Sequence, residues 1–495
     1  MSPLLEITCA SFNRGIEPAL EGINWTVQPG EHWVITGNCG SGKSTLIQAL
    51  SGACHRTKGR LAFPALEQAG PSTYETRTRY LRVVTFRHDA GVFDPSTYFY
   101  QQRFNSFASD GTLRVSEFLQ AVGFDETVSA HRALVERLGL TALLPAECVK
   151  LSSGQSRRLL LAKALVQEPD ILVLDNPYLG LDIPGRKDFN DLLDRLAAAG
   201  ALHLILTSSG QEWPSCITHR LHLNACNITA AGPLTGFGEG DDCANEPEVV
   251  QGTLEALRTC FPPPNAVNEV LFDLSKVDVR YGSVTVLKDV SWQVRRGEKW
   301  ALLGDNGAGK STLLALLFGD HPQAYANLIH VYGHRRGPGQ SIWDVKEHTG
   351  FTSSELHQSF SAKVSCGEAV RLGLFDNVYR RVEVSAEEQR RMDLLFAFFD
   401  IVGLKARPFH AVSTGEQRLV LLIRALAKNP LLLLLDEPFQ AFDAITIRRA
   451  RRLLSEVLGP DHSVVFITHY PAEIPEGVDR LATLKSGVLS LANDL

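Results

Sequence analysis

The chain has 495 residues, more than one hydrophobic core accommodates, so roughly two to four domains are expected. Apolar residues make up 44% and charged residues 21%, the balance of a folded globular protein. A formal net charge of −6 argues against a general nucleic-acid-binding surface, and nine cysteines without a CxxC pair argue against a disulfide framework or a zinc module. Such cysteine usage fits a reducing, cytoplasmic compartment. The start "MSPLLEITCASFNRG" lacks the charged end and long apolar core of a secretion signal, and no apolar run reaches the roughly 18 residues that cross a bilayer.

In chain order, "HWVIT" reads as a strand that runs into "GNCGSGKS", Gly37–Ser44, and then into the helical "TLIQAL". That context makes the G-x-x-x-x-G-K-[ST] match a phosphate-binding loop. Gly37, Gly40 and Gly42 let backbone N–H groups turn inward on phosphates, with Asn38 and Thr45 beside them. Lys43 reaches the terminal phosphates and Ser44 holds Mg²⁺. Cys39 is a bland replacement here rather than a redox sensor. A less apolar insert of helical character, Phe93–Val149, follows. Within it "YFYQQRFNSF", Tyr98–Phe107, mixes aromatics with Arg103 and amides; packing of the insert is the simpler reading than stacking on a nucleic acid.

"LSSGQ", Leu151–Gln155, opens another helix, and "ILVLD" is a buried strand ending at Asp175, where a carboxylate reaches Mg²⁺. The stretch 232–270 is dominated by Gly, Pro and acidic residues, with one helix-capable patch near Leu254, and reads as a linker. Then the chain repeats itself. After the strand-like "VLFDLSKVDVRYG" come "KWALL", the loop "GDNGAGKS" (Gly304–Ser311) and the helical "TLLALL". An insert over Leu356–Ala411, "VSTGE" (Val412–Glu416), the strand "LLLLD" ending at Asp436, and "VVFITHYP" complete the second copy. Two homologous α/β domains in tandem, 1–231 and 271–495, are therefore expected.

A signature such as "LSSGQ" or "VSTGE", followed by a helix, a strand ending in Asp and then a D-E-P or D-N-P turn, resembles the ATP-binding cassette (ABC) ATPases in both halves. The resemblance implies two P-loop NTPase cassettes, each with a helical insert, and ATP and Mg²⁺ as cofactors. It further implies a head-to-tail sandwich within a monomer, in which the signature of one cassette caps the γ-phosphate on the P-loop of the other. Site two then takes Gly304, Asn306, Gly307, Gly309, Lys310, Ser311, Thr312, Asp436 and Glu437 from the second half, with Ser152, Gly154 and Gln155 in trans. Its switch histidine is His469. Site one takes Lys43, Ser44 and Asp175, with Ser413, Gly415 and Glu416 in trans. There Asn176 stands where the glutamate would be, and the histidine position falls on Ser208. An amide takes no proton at neutral pH, although it can orient a water. Loss of a general base alone costs roughly 10²–10⁴-fold. Site one is therefore expected to retain nucleotide and site two to hydrolyse it.

By the same resemblance Tyr281 stacks on adenine in the second cassette and Phe12 in the first. The usual Q-loop glutamine falls on His88 and Ser354, which puts conventional coupling to a permease in doubt; Gln101, Gln102 or Gln358 are possible substitutes. "GEHW", "GEKW", "GDHPQAY" and "YGHRRGPGQSIWDVKEHTGFTSSELHQ" resemble two-cassette ATPases associated with molybdate uptake. That resemblance implies a cytoplasmic ATPase, peripheral at the inner face of the membrane, that energises a separate permease. The alternative is a non-transport ABC ATPase acting on a macromolecular partner. The acidic, Pro-rich linker differs from the basic helical linker of the ABC translation factors, and nucleic acid is not indicated.

Overall fold

The structure, a computed structural model, describes residues 2–14, 17–86, 113–148, 151, 153–200, 202–208, 212–237, 248–264, 268–282, 284–319, 321–337, 341–360, 363–375 and 383–492. The chain divides into two compact units, Met1–Asp242 and Cys243–Leu495.

In unit one a six-stranded sheet runs in the order Leu81–Thr85, Ile171–Asp175, His203–Thr207, Trp33–Gly37, His219–Asn224, Asn227–Pro233. All neighbours pair in parallel except the last, antiparallel pair. A parallel sheet needs both faces covered, so its strands read as unbroken apolar runs. "ILVLD" is buried at every position. Alternation then sends Leu172, Leu174, Leu204 and Leu206 into one core. Ile171, Val173 and Ile205 enter the other, with Leu46 and Ile47 of the helix Lys43–Leu50. A three-stranded antiparallel sheet of Glu17–Val27, Leu5–Arg14 and His55–Ala62 closes that second core.

Unit two repeats the plan. Its six-stranded sheet runs Thr349–Thr352, Leu432–Asp436, Ser463–Ile467, Lys299–Leu303, Arg480–Lys485, Val488–Ala492. A four-stranded sheet built on Val270–Tyr281 and Val284–Arg295 takes the antiparallel role. In each unit the P-loop and the strand ending in Asp open on the same edge, at the carboxyl ends of the parallel strands. That edge is where ligands bind in open α/β sheets. The insert stretches contain the helices Val115–Gln120 and Ser129–Arg137 in unit one, and Cys366–Arg371 and Ala386–Phe398 in unit two.

The stretch 232–270 needs a correction, because part of it is built into unit two. Glu248–Cys260 is a helix, and Leu254, Leu257, Cys260 and Phe261 are buried in the same core as Leu395, Phe399 and Leu454. The spacing Leu254, Leu257, Phe261 places one apolar stripe on one helix face. Arg391 locks the helix end by donating to the Cys260 carbonyl at 2.7 Å and the Ala427 carbonyl at 2.7 Å. Among the described residues no helix is long and apolar enough to cross a membrane.

Candidate active site

Both P-loops adopt the geometry that their glycines permit. Gly42 and Gly309 precede the loop helices at φ 99° and 103°, a left-handed conformation that strains any side chain. Lys43 Nζ lies over the loop, donating to the carbonyls of Gly37 (2.5 Å) and Asn38 (2.8 Å). Lys310 does the same with Gly304 (2.6 Å) and Asp305 (2.9 Å). Ser44 Oγ donates to Asp175 Oδ1 at 3.2 Å, and Ser311 Oγ to Asp436 Oδ2 at 3.1 Å. A hydroxyl and a carboxylate converging beside a P-loop are hard oxygen donors of the kind Mg²⁺ takes, so the residues of both halves fit that ion.

Beyond this shared frame the units diverge. In unit two, Glu437 Oε1 lies 2.6 Å from His469 Nε2. Burial works to raise the Glu437 pKa, but the His469 contact, Lys310 and Arg418 overcome it and hold the carboxyl below its ordinary value. Asp436 moves the other way, pushed up by burial and then by the charge of Glu437. Gln440 Nε2 donates to Glu437 Oε2 at 2.8 Å. Ser354 Oγ donates to Gln440 Oε1 at 3.4 Å, and the buried Arg418 donates to Ser354 Oγ at 3.1 Å. Burial brings the Arg418 pKa down to about 10, with Glu437 and Asp436 opposing.

In unit one, Asn176 occupies the Glu437 position with the same left-handed backbone, φ 53° against 47°. Its Nδ2 donates to Asp175 Oδ1 at 3.2 Å, so the side chain is turned onto the neighbouring carboxylate. Leu179 stands in place of Gln440. Arg157, the counterpart of Arg418, donates to the Pro177 carbonyl at 2.9 Å and lies 5.1 Å from the centre of the Phe86 ring.

Strand register corrects three of the expected equivalences. His203 pairs with Ile171, and Ser463 pairs with Leu432; since Asp175 matches Asp436, Ser208 matches Thr468 and the His469 position falls on Ser209. Half one still carries a serine there, one residue after the expected Ser208. Ser209 lies outside the described residues. Thr85 pairs with Asp175, whereas Thr352 pairs with Leu435, so Ser354 corresponds to Phe86 rather than to His88. Finally, Phe12 pairs with Leu20 and Val279 with Leu287, while Tyr281 closes its hairpin as Arg14 does in unit one. Phe12 is 1% exposed and belongs to the core, so it cannot stack on a base; the position matching Tyr281 is Arg14. Tyr281 is half-buried, its hydroxyl 2.6 Å from His321 Nε2.

Ser413 caps the helix Thr414–Ala427 in a reciprocal box with Glu416, which places the second signature at a helix N-terminus. Gly154 sits in the first turn of Ser153–Leu165 with open space where a side chain would be. Ser152, His88, Gln101, Gln102 and the segment Tyr98–Phe107 lie outside the described residues. Sequence reasoning missed Gln440, Arg418 and Thr207. The signal for Gln440 was present, since it changes to Leu179 in step with Glu437 changing to Asn176.

The family model described as "ABC transporter" matches residues 20–179 and 287–440. Among curated proteins, the ABC transporter ATP-binding protein ModF of Escherichia coli is 32% identical over 95% of this chain and 94% of its own length. An uncharacterised ABC transporter ATP-binding protein of Schizosaccharomyces pombe is 30% identical over 99% of both. Among solved structures, the chain is similar to one in a model of ribosome-bound archaeal Pelota and ABCE1, with a TM-score of 0.61 and 18% identity, covering 97% of this chain and 78% of that one. At that identity the likeness is one of fold.

Proposed function

The chain belongs to the family of ABC transporter ATP-binding proteins and is a two-cassette ATPase, and on that premise we propose that it binds Mg²⁺ and ATP at both P-loops and hydrolyses ATP at the one built on unit two. The observation that carries this reading is the paired Glu437 and His469, 2.6 Å apart, against an Asn176 amide turned onto Asp175. Ser311 and Asp436 would hold the ion, and Lys310 would reach the terminal phosphates. Mg²⁺, when bound, neutralises charge on the transferred phosphoryl group. Glu437, kept ionised by His469, Lys310 and Arg418, orients and polarises the attacking water. His469 fixes the carboxylate on one side and would contact the γ-phosphate. Unit one holds nucleotide without a base to activate water. In the head-to-tail pairing that the family resemblance implies, each signature, Ser152–Gln155 or Ser413–Glu416, would meet the nucleotide of the other half. Steady-state turnover of Glu437→Gln tests the assignment. A loss of roughly 10²–10⁴-fold is expected, and turnover near wild type would sink it.

The role we propose is that of the energising subunit for a separate membrane permease, with molybdate as the cargo that the resemblance of "GEHW", "GEKW" and Tyr332–Gln358 implies. A second reading, a non-transport ATPase acting on a macromolecule, is favoured by one observation: Ser354 is engaged inward by Arg418 and Gln440. Affinity purification from membrane and soluble fractions separates the two. Co-purification of a permease supports the first reading, and a soluble complex the second.

A further inference from the structure

Glu437 has two carboxylate oxygens, and each faces a different group: Oε1 the His469 ring at 2.6 Å, Oε2 the Gln440 amide at 2.8 Å. An amide can present either its N–H₂ or its oxygen, so the value of this contact depends on which end is turned to the carboxylate. Arg418 decides it. A guanidinium only donates, so Ser354 Oγ, 3.1 Å away, must accept from it. The serine proton is then left for Gln440 Oε1 at 3.4 Å. The amide oxygen is thereby committed to Ser354, and only N–H is left for Glu437. We infer that Gln440 is a positioning residue for hydrolysis: oriented through Ser354 by the buried Arg418, it fixes the plane of the Glu437 carboxylate against which water is activated.

Unit one is an internal control. It keeps the arginine, as Arg157, but has Phe86 at the serine position and Leu179 at the amide position. The relay is missing from the half whose carboxylate has become Asn176. Were Arg418, Ser354 and Gln440 merely packing the turn, the half that keeps the same Asp-x-Pro frame would need them equally.

The inference rests on the reading of Glu437 as the catalytic carboxylate, so the experiment includes Glu437→Gln. Gln440→Met keeps the length of the side chain and removes both hydrogen bonds. The expected result is a fall in kcat of roughly 10–100-fold with KM and ATP affinity unchanged, since misorientation rather than lost binding is the defect. Added to Glu437→Gln it produces no further loss, because it acts through the group already removed. Ser354→Ala frees the amide to turn and lowers kcat by about 2–5-fold, and it serves in place of Gln440→Met should that variant misfold. Wild-type kcat in Gln440→Met, or a rise in KM alone, overturns the inference while leaving the assignment of Glu437 intact. Wild-type turnover in Glu437→Gln overturns that assignment instead, whatever Gln440 does.

Discussion

Thr207 Oγ1 donates to Asp175 Oδ1 at 3.1 Å and accepts the Asn176 backbone N–H at 2.7 Å. In unit two the equivalent position is Ile467, which offers only its backbone, accepting the Glu437 N–H at 3.0 Å. Asp175 is thus bound by Ser44, Asn176 and Thr207 at a single oxygen. Restoring the carboxylate alone does not rebuild a hydrolytic site here, because the histidine, the Gln440 relay and the apolar Ile467 are all missing. In a Glu437→Gln background, Asn176→Glu should leave ATP turnover within about threefold of that background. A gain of tenfold or more in single-turnover assays would contradict this.

The two aromatics once expected to be equivalent should behave in opposite ways. Phe12 is a fully buried core residue, so Phe12→Ala should destabilise unit one by roughly 3–5 kcal/mol in denaturant titrations. Tyr281→Ala removes a half-buried ring and its contact with His321, so it should cost less stability than that and chiefly weaken nucleotide binding to unit two, read with a fluorescent ATP analogue. Equal effects of the two variants on binding would restore the original equivalence.

His462 gives unit two a defined acid sensitivity. It is buried against Phe261 and lies 2.8 Å from Asn429 Oδ1. Burial, and next the charge of Lys299, lowers its pKa from 6.5 to about 4. The unfolded chain therefore binds a proton more readily than the folded one. The stability contribution is complete above the unfolded pKa and is lost as pH falls toward the folded one. Between pH 7 and pH 5 this amounts to about 2 kcal/mol. Denaturation midpoints measured across that range should fall for the wild type and fall less for His462→Phe; parallel curves would refute the assignment.

The helix Glu248–Cys260 should count toward the stability of unit two although it precedes the repeat. Leu254 and Leu257 are fully buried, so Leu257→Ala should cost roughly 2–5 kcal/mol. Removing residues 1–265 should leave unit two markedly less stable than removing residues 1–246. Equal denaturation midpoints for the two truncations would show that the helix only rests on the surface.

Much of this was legible in the residues because it rests on local rules. The P-loops announce themselves by glycine spacing between a strand and a helix, and the strands ending in Asp175 and Asp436 by unbroken apolar runs. The loss of Glu437's counterpart could be read by laying one motif over the other. What was not legible depended on register. Whether Ser208 or Ser209 matches His469 is decided by the pairing of the strand His203–Thr207 with Ile171–Asp175, where one apolar residue of "LIL" looks like the next. Phe12 resembles a strand-end aromatic until pairing places it opposite Leu20, inside the core. The relay through Ser354 joins residues 86 and 64 positions apart, a proximity that no local pattern encodes.

The second half of the sequence copies the first from Val270 onward, yet its core already includes Leu254, before the copy starts. What was duplicated and what folds are therefore different stretches of chain. Exchanging the halves at the edge of the repeat would leave behind the helix that Arg391 pins. A transplant that carries the second half as a working piece has to bring along a helix that lies outside the repeat.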